Sequence, residues 1–281
     1  MAFFSGRLIT KLAMAAVVAI VPTTGALAAG GDAKEPRMQD WSFSGIFGTY
    51  DRAQLQRGFQ VFSENCSACH GMERIAFRNL MEPGGPEFSE AEVRAIADLY
   101  FVMDGPDSFG EMFERPARLS DRWPSPFPNT EAAVAAMGAY PPDFSTLAKA
   151  RAAYRGFPGF VIDIFTQYQE NGPDYIYSLL TGYDDTHVNP EGQNGSYNPY
   201  FLSGEYIAMS QPLFDGMHIY QDGTPETMDQ YAKDISAFMM WAAEPHLEAR
   251  KEMGFRVMAF LVIFGGLVYM TKRRVWANVA H

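Results

Sequence analysis

Two cysteines three positions apart, followed at once by a histidine, constrain this chain more than any other feature. Cys66, Cys69 and His70 stand in "SENCSACHGMERI", and no other cysteine occurs in the 281 residues. Such a triplet admits a redox-active dithiol, half of a zinc site, or two thioethers to a c-type haem with the histidine as axial iron ligand. A thioredoxin-like dithiol belongs at the end of a strand in a βαβ pattern. Here "DRAQLQRGFQVFSEN" puts Leu55, Phe59 and Phe62 at helical spacing just ahead of Cys66. Structural zinc needs two more ligands, usually a close pair, yet His187, His218, His246 and His281 lie far apart. A disulfide of this spacing would close too small a loop to staple a fold. Haem attachment is the reading these residues favour over the other two. Two thiols on one helical turn can meet the two vinyl groups on one porphyrin edge, and the next residue then directs its imidazole at the iron.

The ends of the chain set the compartment. Arg7 and Lys11, the apolar run "LAMAAVVAIV" and the small residues Ala26-Leu27-Ala28 read as an export signal over residues 1–28 that is cleaved and takes no part in the fold. Near the other end, Met253 to Thr271 is an apolar stretch of 19 residues, roughly 28 Å as a helix. That length suits a hydrocarbon core of about 30 Å, with Arg256 snorkelling to the headgroups. Lys272, Arg273 and Arg274 follow immediately, which places the C-terminus in the cytoplasm and everything before the span on the exported side. The expected organisation is a signal (1–28), a periplasmic haem domain (29–245), a juxtamembrane connection (246–252), a transmembrane helix (253–271) and a basic cytoplasmic tail (272–281) at a bacterial inner membrane.

Loss of Arg7 and Lys11 with the signal moves the formal charge from −11 to −13. That balance excludes an obvious nucleic-acid binder and suits a basic partner. Glu82, Glu87, Glu90, Glu92 and Asp98 form an acidic cluster soon after the haem motif, a candidate docking face for such a partner. The stretches "MEPGGPEFSE", "DRWPSPFPNTE" and "GYDDTHVNPEGQNGSYNP" are loops by composition, separated by short helices such as "SEAEVRAIADLYF" and "TEAAVAAMGAY". No sustained strand alternation and no internal repeat occur. The class is all-α with long ordered loops, which are expected to wrap the haem and meet partners. Thr224 as N-cap and Pro225 at the first helical position open the last helix before the span, with Met228, Tyr231, Ile235, Phe238 and Met239 on one face until Pro245 interrupts.

A sixth iron ligand has to come from elsewhere, and the sequence offers sixteen methionines, most of them core filler or membrane-facing. Met209 stands out because "YNPYFLSGEYIAMSQPLF" is broken by Pro199, Gly204 and Pro212 and reads as an ordered loop ahead of the last soluble helix. His187 and His218 are the alternatives.

In their order along the chain, "CSACH" at 66, "YPPDFSTLAKAR" at 140, "DYIYSLLTGY" at 174, "YNPYF" at 197, "IAMSQPLF" at 207 and "DGTPETMDQYAKDISAFMMWAAEPH" at 222 resemble cytochrome c1, in its alphaproteobacterial form. That family is the haem subunit of the ubiquinol–cytochrome c reductase (cytochrome bc1) complex. The resemblance covers essentially the whole mature sequence. It implies a class I cytochrome c-like haem domain with long ordered loop insertions, one C-terminal transmembrane helix, and one covalent haem c. It further implies that Cys66 and Cys69 link the haem, His70 and Met209 are its axial ligands, Arg151 pairs with a propionate, Tyr175 lies near the haem, and Pro141 and Pro142 shape the crevice wall. The implied function is transfer of one electron from the Rieske iron-sulfur protein to a cytochrome c, within a dimeric, membrane-embedded complex that includes cytochrome b. The enzyme is then the assembly, and this chain alone does not oxidise quinol. A membrane-tethered c-type cytochrome acting as a free carrier is the alternative. Two departures stand against the family pattern. Residues 152–172 resemble a bacterial insertion with no derivable role, and the extra cysteine pair that steadies the methionine loop in some bacterial members is missing here.

Overall fold

The computed structural model describes residues 33–152, 157–159, 161–162 and 171–278. The expected export signal and most of the 152–172 segment lie outside the described residues.

Helix α1 (Arg52–Val61) begins where the Asp51 carboxylate accepts the backbone N–H of Gln54, the usual way to satisfy a free amide at a helix start. Leu55, Phe59 and Phe62 are all buried, as their spacing predicts. The helix then widens into a π turn, Phe62–Cys66, in which Ser67 N–H reaches five residues back to the Phe62 carbonyl at 2.8 Å. A short 3-10 turn (Phe77–Met81), α2 (Glu90–Ala97), α3 (Thr130–Met137), α4 (Leu147–Ala150) and α5 (Asn171–Leu180) follow. Helix α6 (Met228–Ala243) packs on α1, α4 and α5 and is the centre of the core.

The α1–α6 contact is set by a glycine. A Cβ on Gly58 would come within 2.2 Å of the Asp234 carbonyl oxygen and 2.6 Å of the Phe238 Cβ, so only glycine lets the two backbones approach this closely. Around that crossing Phe238 stands 5.9 Å from Phe59 and 5.8 Å from Phe62 between ring centroids, and Trp123 covers both on the other side. Asp234 is buried in the same contact and is held by Arg57, whose Nε donates to it at 2.9 Å while Nη1 reaches Asp222 at 2.7 Å. Burial raises the Asp234 carboxyl, and the guanidinium opposes that rise.

Two readings of the sequence need amendment. The chain is mostly helical, but two short antiparallel ribbons occur among the described residues: β1 (Phe101–Asp104) with β2 (Phe113–Pro116), and β3 (Ser196–Tyr197) with β4 (Tyr206–Ile207). Strands of four and two residues are too short to show alternation in the sequence. The last soluble helix also starts three residues later than expected. Thr227, not Thr224, is the N-cap, and its hydroxyl accepts from Gln230 N–H at 3.3 Å. Thr224 is drawn instead into a turn closed by the Asp222 carboxylate at 3.0 Å, with Gly223 at φ 77°.

Beyond Glu244 and Pro245, α7 runs unbroken from Leu247 to Val275, a helix long and apolar enough to cross a membrane. Residues 33–50 form a strap across the core. Trp41 Nε1 and the Gln39 amide both donate to the buried Asp174 carboxylate at the start of α5, at 2.8 and 2.9 Å.

The acidic cluster is locally committed. Glu92 closes the capping box with Ser89, Glu90 pairs with Arg94 at 2.6 Å, and Glu87 lies 3.6 Å from Arg52 while accepting the Gly84 amide.

Candidate functional site

The triplet sits where a helix ends. Because the π turn spends an extra residue, the chain leaves α1 with Cys69 N–H and His70 N–H both bonded to the Cys66 carbonyl, at 3.1 and 2.9 Å. Cys66, Cys69 and His70 are therefore parts of one tight turn, each half-buried. Both thiols are free. Burial, with the neighbouring Cys69 adding to it, pushes the Cys66 thiol up to about 12, so it is a neutral sulfhydryl and not the low-pKa thiolate of a redox catalyst. Among the described residues no group of three or more His, Cys, Asp or Glu could hold a metal ion. A Cys66 thiol raised in this way disfavours the redox-dithiol reading.

His70 is oriented by the segment that carries the two prolines. Its Nδ1 donates to the Pro142 carbonyl at 2.8 Å, which fixes the tautomer and leaves the Nε2 lone pair for a ligand. Burial lowers the imidazole from its ordinary value, against the opposing pull of that carbonyl and Asp143, and so favours the neutral ring that coordination requires. The Phe144 ring lies 4.4 Å from the imidazole and Phe144 N–H bonds Gly71 O at 2.8 Å. Asp143 clamps the Glu73 amide at 2.8 Å, and Ser145 Oγ the Arg74 amide at 2.9 Å. Pro141 and Pro142, both half-buried, thus belong to a strand of chain laced to the residues after His70.

Met209 belongs to a second group of residues. It is half-buried just after β4, and its carbonyl accepts the Tyr183 hydroxyl at 3.2 Å. Tyr183, raised chiefly by burial, also feels Tyr175, which is buried in α5, raised by the same cause, and close enough to Arg151 to feel its charge. Arg151 is exposed at the C-terminal end of α4. A hydrogen bond joins the two groups: Asn65, adjacent to Cys66, donates through Nδ2 to the Pro212 carbonyl, three residues after Met209, at 2.9 Å. The alternative histidines sit in other surroundings, and His218 keeps a buried Nε2 that has no hydrogen-bond partner among the described residues. His187 stacks on Tyr197 at 3.7 Å, and His218 is buried with its Nδ1 2.7 Å from Glu64.

Sequence reasoning missed Asn65, Tyr183 and Phe144. Only Phe144 left a local signal, as an aromatic two residues after a proline pair. Two free thiols on one turn, an imidazole with a fixed tautomer, a thioether on a tethered loop and an arginine at the margin together suit a covalently bound haem.

Comparison with known proteins points the same way. The model of the cytochrome C1 family matches residues 41–279. Cytochrome b/c1 of Bradyrhizobium diazoefficiens is 50% identical over 280 residues, covering 97% of this chain, which spans 40% of that longer protein. Cytochrome c1 of Blastochloris viridis is 50% identical over 257 residues, 90% of each chain. The cytochrome b-c1 complex catalytic subunit, mitochondrial, of Candida albicans is 41% identical over 262 residues, 92% of this chain and 83% of its own. With a family match over residues 41–279 and relatives at 41% and 50% identity covered over 83% and 90% of their own length, the chain belongs to the cytochrome c1 family.

Proposed function

We propose that the chain is the electron-transfer subunit of a quinol–cytochrome c reductase, passing one electron from the Rieske iron-sulfur protein to a cytochrome c by way of one covalently bound haem. The observation that carries this reading is the His70 imidazole, held by the Pro142 carbonyl at 2.8 Å beside two free thiols, in a chain of the cytochrome c1 family. Bound haem supplies the one-electron couple, and the protein supplies position and potential.

The residues divide that task. Cys66 and Cys69 provide the two sulfurs for thioether attachment. His70 would hold the iron through Nε2, with Pro142 keeping the ring from turning over. Met209 would supply a soft thioether as a further iron ligand, on a loop steadied through the Met209 carbonyl by Tyr183 and through the Pro212 carbonyl by Asn65. Arg151 would supply a cation for a propionate, close enough to Tyr175 for its charge to be felt there. Pro141 completes the crevice wall. No side chain is required to move a proton or attack a bond, and so the quinol chemistry belongs to the partner subunits.

In this reading residues 29–245 are periplasmic, 253–271 span the inner membrane and 272–281 are cytoplasmic, with cytochrome b, the iron-sulfur protein, an acceptor cytochrome c and the lipid bilayer as partners in a dimeric complex. Affinity purification of the full chain from its own membranes in mild detergent tests it. Cytochrome b and an iron-sulfur protein should co-purify, and quinol should reduce the haem only in that assembly. A chain that purifies alone and still exchanges electrons with soluble cytochromes would replace this reading with that of a free, membrane-tethered carrier.

A further inference from the structure

The apolar helix is bound to the N-terminal strap along one stripe. Glu248, Lys251 and Phe255 are spaced three and four apart and share a helix face. Glu248 Oε1 accepts the Tyr50 amide at 2.7 Å, Lys251 Nζ donates to the carbonyls of Phe43 at 2.5 Å and Gly48 at 3.4 Å, and the Phe255 ring meets Phe47 edge-on with centroids 5.7 Å apart. Between these anchors the chain makes a sharp turn. Gly45 sits at φ 75°, and a Cβ on Gly48 would fall 2.1 Å from the Ser44 carbonyl oxygen. The turn is therefore fixed against the helix, yet Ile46 and Phe47 at its tip are 42% and 77% exposed.

A rigid turn that spends its tip on two apolar side chains is covered by something apolar. Its position says what. Phe255 is two residues past Met253, roughly 3 Å along the axis, where the apolar run begins, and Met253, Val257 and Met258 are themselves exposed beside it. The turn thus continues the surface that α7 presents to lipid, at the depth of the headgroups. A single span leaves a domain free to tilt and rotate about it, whereas a second point of contact removes that freedom.

We propose that the turn 44–48 is a second membrane contact, in which Ile46 and Phe47 enter the headgroup–acyl boundary beside α7 and fix the orientation of the haem domain over the bilayer. The proposal rests on α7 being a membrane span. The test uses the full-length, haem-loaded chain in nanodiscs of phosphatidylcholine and phosphatidylglycerol. A nitroxide is placed singly by Ile46→Cys, Phe47→Cys, Phe109→Cys or Phe260→Cys, and its collisions with oxygen and with a water-soluble nickel chelate are compared. Phe260 reports on the span, and Phe109, at the exposed tip between β1 and β2, reports on water. Labels at 46 and 47 should show an oxygen-to-nickel ratio several-fold above that at 109, approaching that at 260. Labels at 46 and 47 that match 109 while 260 is lipid-shielded would overturn the turn's role and leave the span intact. Shielding from both reagents would mean protein cover and would also overturn it. A water-exposed 260 would sink the span itself, and this proposal with it.

Discussion

At the scale of single residues, much of the candidate site is held by backbone carbonyls. His70 is aimed by Pro142 O, Met209 is steadied through its own carbonyl by Tyr183, and Asn65 ties the cysteine turn to Pro212 O. Met209→Leu removes the only thioether on that tethered loop while sparing every one of these contacts. The covalent haem should remain and its midpoint potential should fall by on the order of 0.1 V or more, within the roughly 0.8 V that axial ligation spans. A redox titration checks this, and an unchanged potential would assign the sixth ligand to another residue. Cys66, Cys69 and His70 were legible in the sequence because their chemistry is confined to five consecutive positions. Met209 could be singled out only by the turn residues around it. Tyr183 and Asn65 were not legible at all, since each acts on a residue 26 or 147 positions away and leaves no mark near itself.

At the scale of elements, the π turn and the α1–α6 crossing decide where the cysteines point. Gly58 sets that crossing, so Gly58→Ala should force the helices apart and destabilise the domain by about 1–3 kcal/mol, as overpacking does in a tight core. Chemical denaturation of the haem-loaded protein measures it, and a stability equal to the parent would show that the crossing relaxes at no cost. Periodicity announced both helices, because Leu55, Phe59 and Phe62 on one side and Tyr231, Ile235 and Phe238 on the other are spaced for a buried stripe. It could not announce how closely they approach, which depends on one glycine meeting one backbone carbonyl. Nor could it place the start of α6, because Thr224 and Thr227 are equally good caps locally and the choice falls to Asp222, which captures the first. The ribbons at 101–116 and 196–207 were missed for a related reason. Their connecting turns carry glycines at positive φ, Gly105 and Gly110 in the first and Gly204 in the second, and the strand sequences show no sustained alternation.

At the scale of the molecule, a helical domain with a candidate haem site stands on one long apolar helix whose first turn is part of the domain's own core. Leu247 is buried and Glu248 and Lys251 bind the strap, so a chain ended just before Met253 keeps these contacts and loses the apolar run, the basic tail and the Phe47–Phe255 contact. Such a truncation should release a red, water-soluble domain to the periplasm, detected by fractionation and haem absorbance. A product still embedded in the membrane without partner subunits would show a retained signal or a second span. The acidic surface, prominent in composition, is less free than it looked, since Glu87, Glu90 and Glu92 are engaged by Arg52, Arg94 and Ser89. The proposed route of the electron rests on one proposed bond, that between this polypeptide and a haem. The direct measurement is acid extraction of the denatured, purified chain followed by mass spectrometry of the peptide containing Cys66 and Cys69. The haem should stay with the polypeptide, with both sulfurs consumed as thioethers. Haem that extracts freely, or a peptide carrying two free thiols, would contradict the account.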